Sequence, residues 1–495
     1  MKRAKAIEQL RPSPEQERIL NLPYQAGSIT VIKAFAGTGK TATLRMIAES
    51  RPHQKILYVV YNKTMADEAK KVFPSNVQVR TSHSIAFEIC GSRYAGHLGA
   101  LRSRDISAAL GLPPVIAIEV VDTLNHWFHS ISPEIKDEHL PANCEHHAKV
   151  IDASRKTWSS ILEKTSPLPM PHDGYQKLWS LLSPSAGQFD LVFADEAHDL
   201  NPVVLDFVFR CASKDKSAVV FVGDPHQSIY SWRGAVDAIS LIEERAARVE
   251  RLTWSFRFGP SIARDASTIL TRLKNENVNV VGAGGKNVET DNFCVIARTN
   301  FSLIEHALEE LSAEPEITLH FSGTKLTEKW SPRIPYRFDE MLDVLSLYTG
   351  ELGAVRTAYF KRFLSWQELI DFVNAGDQEL AWLVRIVSRY ESSLPASLKL
   401  IEQNVVTQKK ADVTYSTVHR SKGLEWDYVK ALSDFISPAE IVTRLVDPKT
   451  TTDQKRSLIE EANLHYVSFT RAKRRLTLDM PLRKWLDENQ SSVSK

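Results

Sequence analysis

The chain has 495 residues, 43% of them hydrophobic and 25% charged, and its 62 Lys and Arg nearly cancel its 60 Asp and Glu to leave a formal charge of +2. This is ordinary globular composition, and at roughly 150 residues per domain the length predicts three or four domains. It excludes wholesale disorder and a polycationic coat, so any nucleic-acid site has to be a local basic track. Four cysteines (Cys90, Cys144, Cys211, Cys294) lie far apart with no CxxC pair. That pattern points to reduced thiols and a cytoplasmic setting, nucleoid-associated if the source is bacterial or phage. The basic N-terminus lacks the apolar stretch of a signal peptide, and no run of about 18 apolar residues is present, so no membrane partner is expected.

In chain order, short apolar runs at 29–33, 56–60, 77–80, 191–193 and 219–222 predict buried parallel strands, each followed by helical periodicity. A helical block from about 90 to 186, broken by Pro113-Pro114 and by the stretch 167–171, interrupts this series. A second set of strand-like runs follows at 293–297, 317–321, 413–416 and 475–478, interrupted by a helical block at about 331–408. Strand alternating with helix predicts an α/β class, here two cores that each carry a mainly helical insertion.

Residues 34–41 read AFAGTGKT, directly after an apolar strand and before a helical run. Glycines let a backbone wrap a phosphate, and the following helix N-terminus adds its dipole. Ala36, Gly37, Thr38 and Gly39 would form the cradle, Lys40 would reach the β- and γ-phosphates, and the Thr41 hydroxyl would bind Mg²⁺. One departure is that Ala34 stands where the strict motif has Gly. A second signature, LVFADEAHD at 191–199, ends an apolar strand in Asp195-Glu196. Acids at that place lie over the nucleotide crevice of an open α/β sheet. Asp195 suits Mg²⁺ through water, and Glu196 suits a base that orients attacking water. Phosphoryl transfer also needs positive charge on the transferred group. Arg257, in LTWSFRFGPS, and Arg471, in LHYVSFTRAKRRL, are the candidates.

With these pieces in order, the chain resembles the superfamily 1 DNA helicases of the UvrD/Rep/PcrA type, and most nearly the helicase part of the F-box DNA helicases. The resemblance runs from Pro14 to about Leu478. Pro14-Glu15-Gln16 resembles the Q motif, AFAGTGKT and ADEAHD motifs I and II, VVYNKTMADEA (59–69) motif Ia, and TSHSIAF (81–87) motif Ib. VGDPHQSIYSWRGA (222–235) resembles motif III, LTWSFRF motif IV, STVHRSKGLEWD (416–427) motif V, and LHYVSFTRAKRRL motif VI.

The resemblance implies two RecA-like P-loop domains: 1–88 with 186–255, interrupted by a helical insertion at 89–185, and 256–330 with 409–495, interrupted by a short insertion at 331–408. It implies ATP and Mg²⁺ as cofactors, with Gln16 reading adenine, Phe256 packing on it and Glu425 contacting the sugar. Gln227 would sense the γ-phosphate, and Arg257 and Arg471 would act as arginine fingers. Trp232 would stack on a base with Tyr230 beside it, and Arg233, Asn62, His83, Thr417 and His419 would contact the strand. An aromatic platform grips any base while cations follow the backbone, as a motor indifferent to sequence requires. The activity implied is ATP-dependent movement 3′→5′ on single-stranded and forked DNA, in repair or recombination. Alternatives are a translocase that strips recombinase from DNA, and a motor subunit serving a separate nuclease partner.

The departures are specific. Ala42 stands where many relatives carry an Arg beside the adenine, and His198 where they carry Gln, which puts one ATP-to-DNA coupling contact in doubt. With so little sequence before Gln16 and after Arg471, we expect neither an F-box nor a fused nuclease. The stretch 126–147 holds His126, His129, His139, Cys144, His146 and His147. It lacks paired ligand spacing, so a satisfied or solvent-facing cluster is expected over a zinc site. The run Lys473-Arg474-Arg475 would either touch phosphate or form a solvated helix end.

Overall fold

The computed structural model describes residues 12–60, 63–141, 144–183, 185, 187–229, 238–285, 292–326, 332–336, 338–357, 359–374 and 378–490. The chain divides into two compact units, Met1–Leu252 and Thr253–Lys495. Among the described residues no single helix is long and apolar enough to cross a membrane.

In the first unit, β1 (Ile29–Ala34), β2 (Ile56–Val60), β3 (Val77–Thr81), β4 (Leu191–Ala194), β5 (Ala218–Gly223) and β6 (Arg248–Leu252) form one sheet in the order β3-β2-β4-β5-β1-β6. Every neighbouring pair is parallel. Strands β2, β4 and β5 are buried along their whole length, and β1 after its first residue. Such strands read as unbroken apolar runs because helices cover both faces. The last strand was not anticipated. Its sequence RVERL alternates and leaves three of its five side chains exposed, as an edge strand does. Buried Glu250 within it is held by Arg18, whose Nε donates to the carboxylate at 2.9 Å.

Alternation along the strands splits this unit into two cores. On one face Ile32, Tyr58, Phe193 and Val222 pack with Leu44 and Ile47 of the helix Lys40–Glu49. On the other, Val31, Leu57, Val192 and Phe221 pack in one cluster with Trp127 and Trp179, from the helices Pro114–Phe128 and His172–Leu182 of the interrupting block. The block therefore shares its core with the sheet it interrupts. A fully buried cation pins it: the Lys177 ammonium donates to the Ser130 and Ser132 carbonyls at 2.7 and 2.6 Å and lies 4.6 Å from the Trp127 ring centroid.

In the second unit, β7 (Trp254–Ser255) pairs with β8 (Val281–Gly282). A second all-parallel sheet combines β9 (Phe293–Ala297) and β10 (Leu319–Phe321) with three later strands. A short antiparallel pair, β11 (Lys325–Leu326) and β12 (Pro332–Arg333), opens the interrupting block. Then come β13 (Val413–Thr417), β14 (Trp426–Ala431) and β15 (Ala472–Thr477), giving the order β10-β13-β9-β14-β15. Val295, Leu319 and Tyr415 of the sheet share a core with Met341, Leu383 and Ile386 of the helical block.

Three strand expectations need correction here. Strand β14 was missed, because Asp427 and Lys430 break its apolar run although Asp427 is fully buried. The last strand begins at Ala472, not 475, and alternates as an edge strand, so charge conceals its start. Strand β10 begins at Leu319, because Thr318 is bound to the Asp412 carboxylate through its amide and its hydroxyl at 2.9 and 2.6 Å.

The helix Met480–Gln490 is tied to the helix Pro260–Lys274 by a two-pronged ion pair. Arg483 Nη1 and Nη2 donate to Asp265 Oδ1 and Oδ2, both at 2.9 Å. The Asp265 side chain is 5% exposed and that of Arg483 33%. Removing one partner of a buried pair costs about 3–5 kcal/mol, and the exposure of Arg483 reduces this to about 2 kcal/mol. Arg483→Met is therefore expected to lower the stability of the second unit by about that much in chemical denaturation. Arg456→Met, which breaks a surface pair with Asp453, should cost less than about 1 kcal/mol.

Candidate functional site

The phosphate loop leaves the carboxyl end of β1 and enters the helix Lys40–Glu49. Gly37 and Gly39 sit at φ +74° and +80°, a left-handed backbone that side chains strain against. The Thr38 hydroxyl closes the loop by donating to the Phe35 carbonyl at 2.7 Å. Gly39 is the N-cap and offers no side chain, so no side-chain cap takes the first-turn amides that suit an anion. Gln16 braces this turn. Its Nε2 donates to Thr43 Oγ1 at 3.0 Å, and its Oε1 accepts from the Ser13 amide at 3.0 Å within a capping box.

Strand β4 delivers two acids to the same edge. Asp195 is almost fully buried. Its Oδ1 accepts from the Glu196 amide at 2.8 Å. Its Oδ2 accepts from the Tyr58 hydroxyl at 2.5 Å and from Thr41 Oγ1 at 3.4 Å. Burial, and then the charge of Glu196, push the Asp195 carboxyl above its ordinary range. The Lys40 ammonium donates to Glu196 Oε2 at 2.7 Å. Burial alone would lower the Lys40 pKa, but Glu196, Asp195 and Asp224 outweigh it and hold it above normal. Glu196 itself has φ +49°, an unusual conformation for a side-chain residue and one that clusters at functional turns. One ammonium thus faces three carboxylates, and this surplus of negative charge beside a hydroxyl fits a hard divalent cation of the Mg²⁺ kind.

The loop after β5 carries this charge outward. Gln227 Nε2 donates to Asp224 Oδ2 at 2.7 Å, and the His226 amide donates to Oδ1 at 3.0 Å. His198, the departure in motif II, accepts from the Asp224 amide through Nδ1 at 3.2 Å. The substituted residue thus touches the segment that holds Gln227. Gly223 permits this, since a Cβ there would lie 3.1 Å from the Ala197 and His198 amides.

A second cluster forms within the second unit. Arg257 Nε donates to Glu425 Oε2 at 2.7 Å, its Nη1 donates to the Thr470 carbonyl at 3.0 Å, and Lys473 Nζ lies 2.8 Å from Glu425 Oε1. Burial would raise the Glu425 pKa, but Lys473 and Arg257 hold it below the ordinary carboxylate range. Arg471 is almost fully buried and donates to the Val467 and Leu424 carbonyls at 3.0 and 3.2 Å. Phe256 stays 42% exposed while Phe258 anchors the segment in the core. The glycine-rich stretch 281–285 lies flush against this turn: a Cβ on Gly284 would sit 2.2 Å from the Phe256 carbonyl oxygen. Lys473 is neither on a helix end nor solvated, as one expectation had it. It belongs to β15 and pairs with Glu425.

Of the expected strand contacts, His83 stands in the first turn of the helix Ser82–Ile89, capped by Thr81. Its ring borders a pocket of about 210 Å³ lined also by Val60, His129, Asp173, Gln176 and Asn201. Burial lowers the His83 pKa. Thr417 ends β13 and caps the short helix Val418–Ser421, which carries His419. Asn62, Tyr230, Trp232 and Arg233 lie outside the described residues. In the histidine-rich stretch, His126 Nδ1 is 2.9 Å from the His139 carbonyl, and His139 uses its ring on Lys136 and Ser130. Among the described residues no three metal-ligating side chains converge there.

Residues 175–247 match the UvrD/REP helicase N-terminal domain, and residues 353–481 match the UvrD-like helicase C-terminal domain. The chain belongs to the UvrD-like helicases. It is 31% identical to F-box DNA helicase 1 of Gallus gallus over 96% of this chain and 50% of that protein. It is 29% identical to F-box DNA helicase protein 1 of Schizosaccharomyces pombe, over 95% of this chain and 57% of that protein. A probable DNA helicase II homolog of Mycoplasma genitalium is 26% identical over 43% of this chain and 35% of its own length. The chain spans about half the length of the two F-box helicases it matches. The two sheets are the RecA-like pair of such helicases.

Two site residues escaped sequence reasoning: Tyr58, hidden in an apolar strand, and Asp224, which precedes the conspicuous part of motif III. Only Asp224, in GDPHQ, had a readable signal. The Lys40–Glu196 contact predicts that Glu196→Gln keeps nucleotide binding, since the amide oxygen still accepts from Lys40. Turnover should fall by about 10²–10⁴-fold, the usual worth of a positioned base. Equilibrium binding and single-turnover hydrolysis of ATP check both halves.

Proposed function

We propose that the chain is an ATP-driven DNA translocase and helicase moving 3′→5′ on single-stranded DNA, acting in repair or recombination. The observation that carries this reading is the group of contacts around Lys40 at the carboxyl edge of the first sheet, where Lys40 pairs with Glu196 and feels the charge of Asp224, and Asp224 in turn binds His198 and Gln227. It joins a phosphate site to the loop that leads into Tyr230, Trp232 and Arg233, residues of base-stacking and phosphate-binding type.

In this reading the triphosphate lies on the 35–39 loop, Lys40 offsets its charge and Thr41 with Asp195 holds Mg²⁺. Bound there, the ion would neutralise charge on the phosphates. Glu196 releases Lys40 to the phosphates and orients a water for in-line attack. Gln16 and Phe256 bind the adenine, and Glu425 contacts the sugar. Arg257 and Arg471 supply positive charge to the transferred group, a contribution worth about 10³–10⁵ in related enzymes. His83, Asn62, Thr417 and His419 follow the strand. The blocks 89–185 and 331–408 serve as insertions of the domains 1–88 with 186–255 and 256–330 with 409–495.

The polarity rests on the string QSIYSWRGA and its likeness to the UvrD group. A forked or tailed duplex with a 3′ single strand should be unwound in the presence of ATP, and one with a 5′ tail hardly at all. Preferential unwinding from the 5′ tail would overturn the direction but not the motor. Tail binding should weaken by about 0.7 log units per tenfold rise in salt for each phosphate neutralised.

A further inference from the structure

We propose that Tyr58 is a positioning residue for the divalent cation, fixing the Asp195 carboxylate in the orientation that receives it. The proposal deepens the reading above and depends on it.

The geometry follows from the sheet. Strands β2 and β4 are parallel neighbours with Tyr58 opposite Phe193. Tyr58 and Phe193 share one face of the sheet, and alternation carries Asp195, two residues on, to that same face. The phenol therefore reaches the carboxylate from within the core. Its ring cannot swing away. It packs 4.6 Å from the Phe73 centroid and edge-on to Phe193, and it is 2% exposed.

The hydroxyl donates to Asp195 Oδ2 at 2.5 Å, the oxygen that Thr41 Oγ1 also approaches. With the Glu196 amide on Oδ1, both carboxylate oxygens are held from fixed directions. One phenol thus fixes the carboxylate oxygen that Thr41, the other group expected to hold the cation, also approaches. Without it, the Asp195 side chain would keep only the Glu196 amide and the long contact from Thr41 at 3.4 Å. Groups that orient a ligating carboxylate are worth about 10–100-fold in metal affinity. A buried tyrosine placed only to fill the core would instead contribute through its ring, not its oxygen.

Tyr58→Phe separates the two roles, and Phe73→Leu is its packing control. Binding of a fluorescent, non-hydrolysable ATP analogue to the full chain is measured in EDTA and across a Mg²⁺ titration. Thermal denaturation is followed alongside. Tyr58→Phe is expected to raise the Mg²⁺ concentration at half-effect by about 10–100-fold, with the affinity in EDTA unchanged. Phe73→Leu, which disturbs the ring but keeps the hydroxyl, should leave the Mg²⁺ midpoint in place. A Tyr58→Phe protein with the wild-type Mg²⁺ midpoint overturns the proposal while leaving the nucleotide site intact. A wild-type chain whose nucleotide binding ignores Mg²⁺ overturns the proposal and the reading beneath it.

Discussion

A buried ammonium at the edge of a parallel sheet sets the terms for the rest of the first unit. Taking an ion out of water costs several kcal/mol, and only good geometry and further hydrogen bonds repay it. Lys40 meets that cost with Glu196 at 2.7 Å and with Asp195 and Asp224 nearby. Those acids in turn need partners, and they find them in Tyr58, Thr41, Gln227 and backbone amides. Each strand that contributes, β1, β2, β4 and β5, must therefore end in register with the others.

The same network takes in the histidine of motif II. The His198 ring nitrogen accepts from the Asp224 amide. Gly223 leaves room for it, because any Cβ would press on the Ala197 and His198 amides. Asp224 thus joins His198, just past the end of β4, to Gln227 in the loop after β5. In the second unit a comparable economy holds. Glu425 gathers Arg257 and Lys473, while the glycines at 282 and 284 let one backbone segment lie against the turn that presents Phe256 and Arg257.

Much of this was legible in the sequence, for identifiable reasons. Strands buried on both faces, such as 56–60 and 293–297, read directly as apolar runs. The edge strands β6 and β15 and the interior strand β14 did not, because charged residues interrupt their patterns. The phosphate loop and the acid pair were visible because glycine, lysine and carboxylate types at fixed spacing have few other uses. Tyr58 was invisible because its role depends on which residue lies opposite it across two strands far apart in sequence. The buried state of Arg471 was equally hidden, since nothing in the string FTRAKRR distinguishes a guanidinium held by carbonyls from one in water.

The central claim is that the charge network around Lys40 is a nucleotide engine whose rate is governed by a bound strand. Steady-state ATP hydrolysis, measured while an oligothymidylate is titrated into the chain with Mg²⁺ present, tests it most directly. The account predicts low basal turnover that rises severalfold and saturates with the single strand. Hydrolysis that is absent throughout, or that proceeds at one rate with and without the strand, would contradict it.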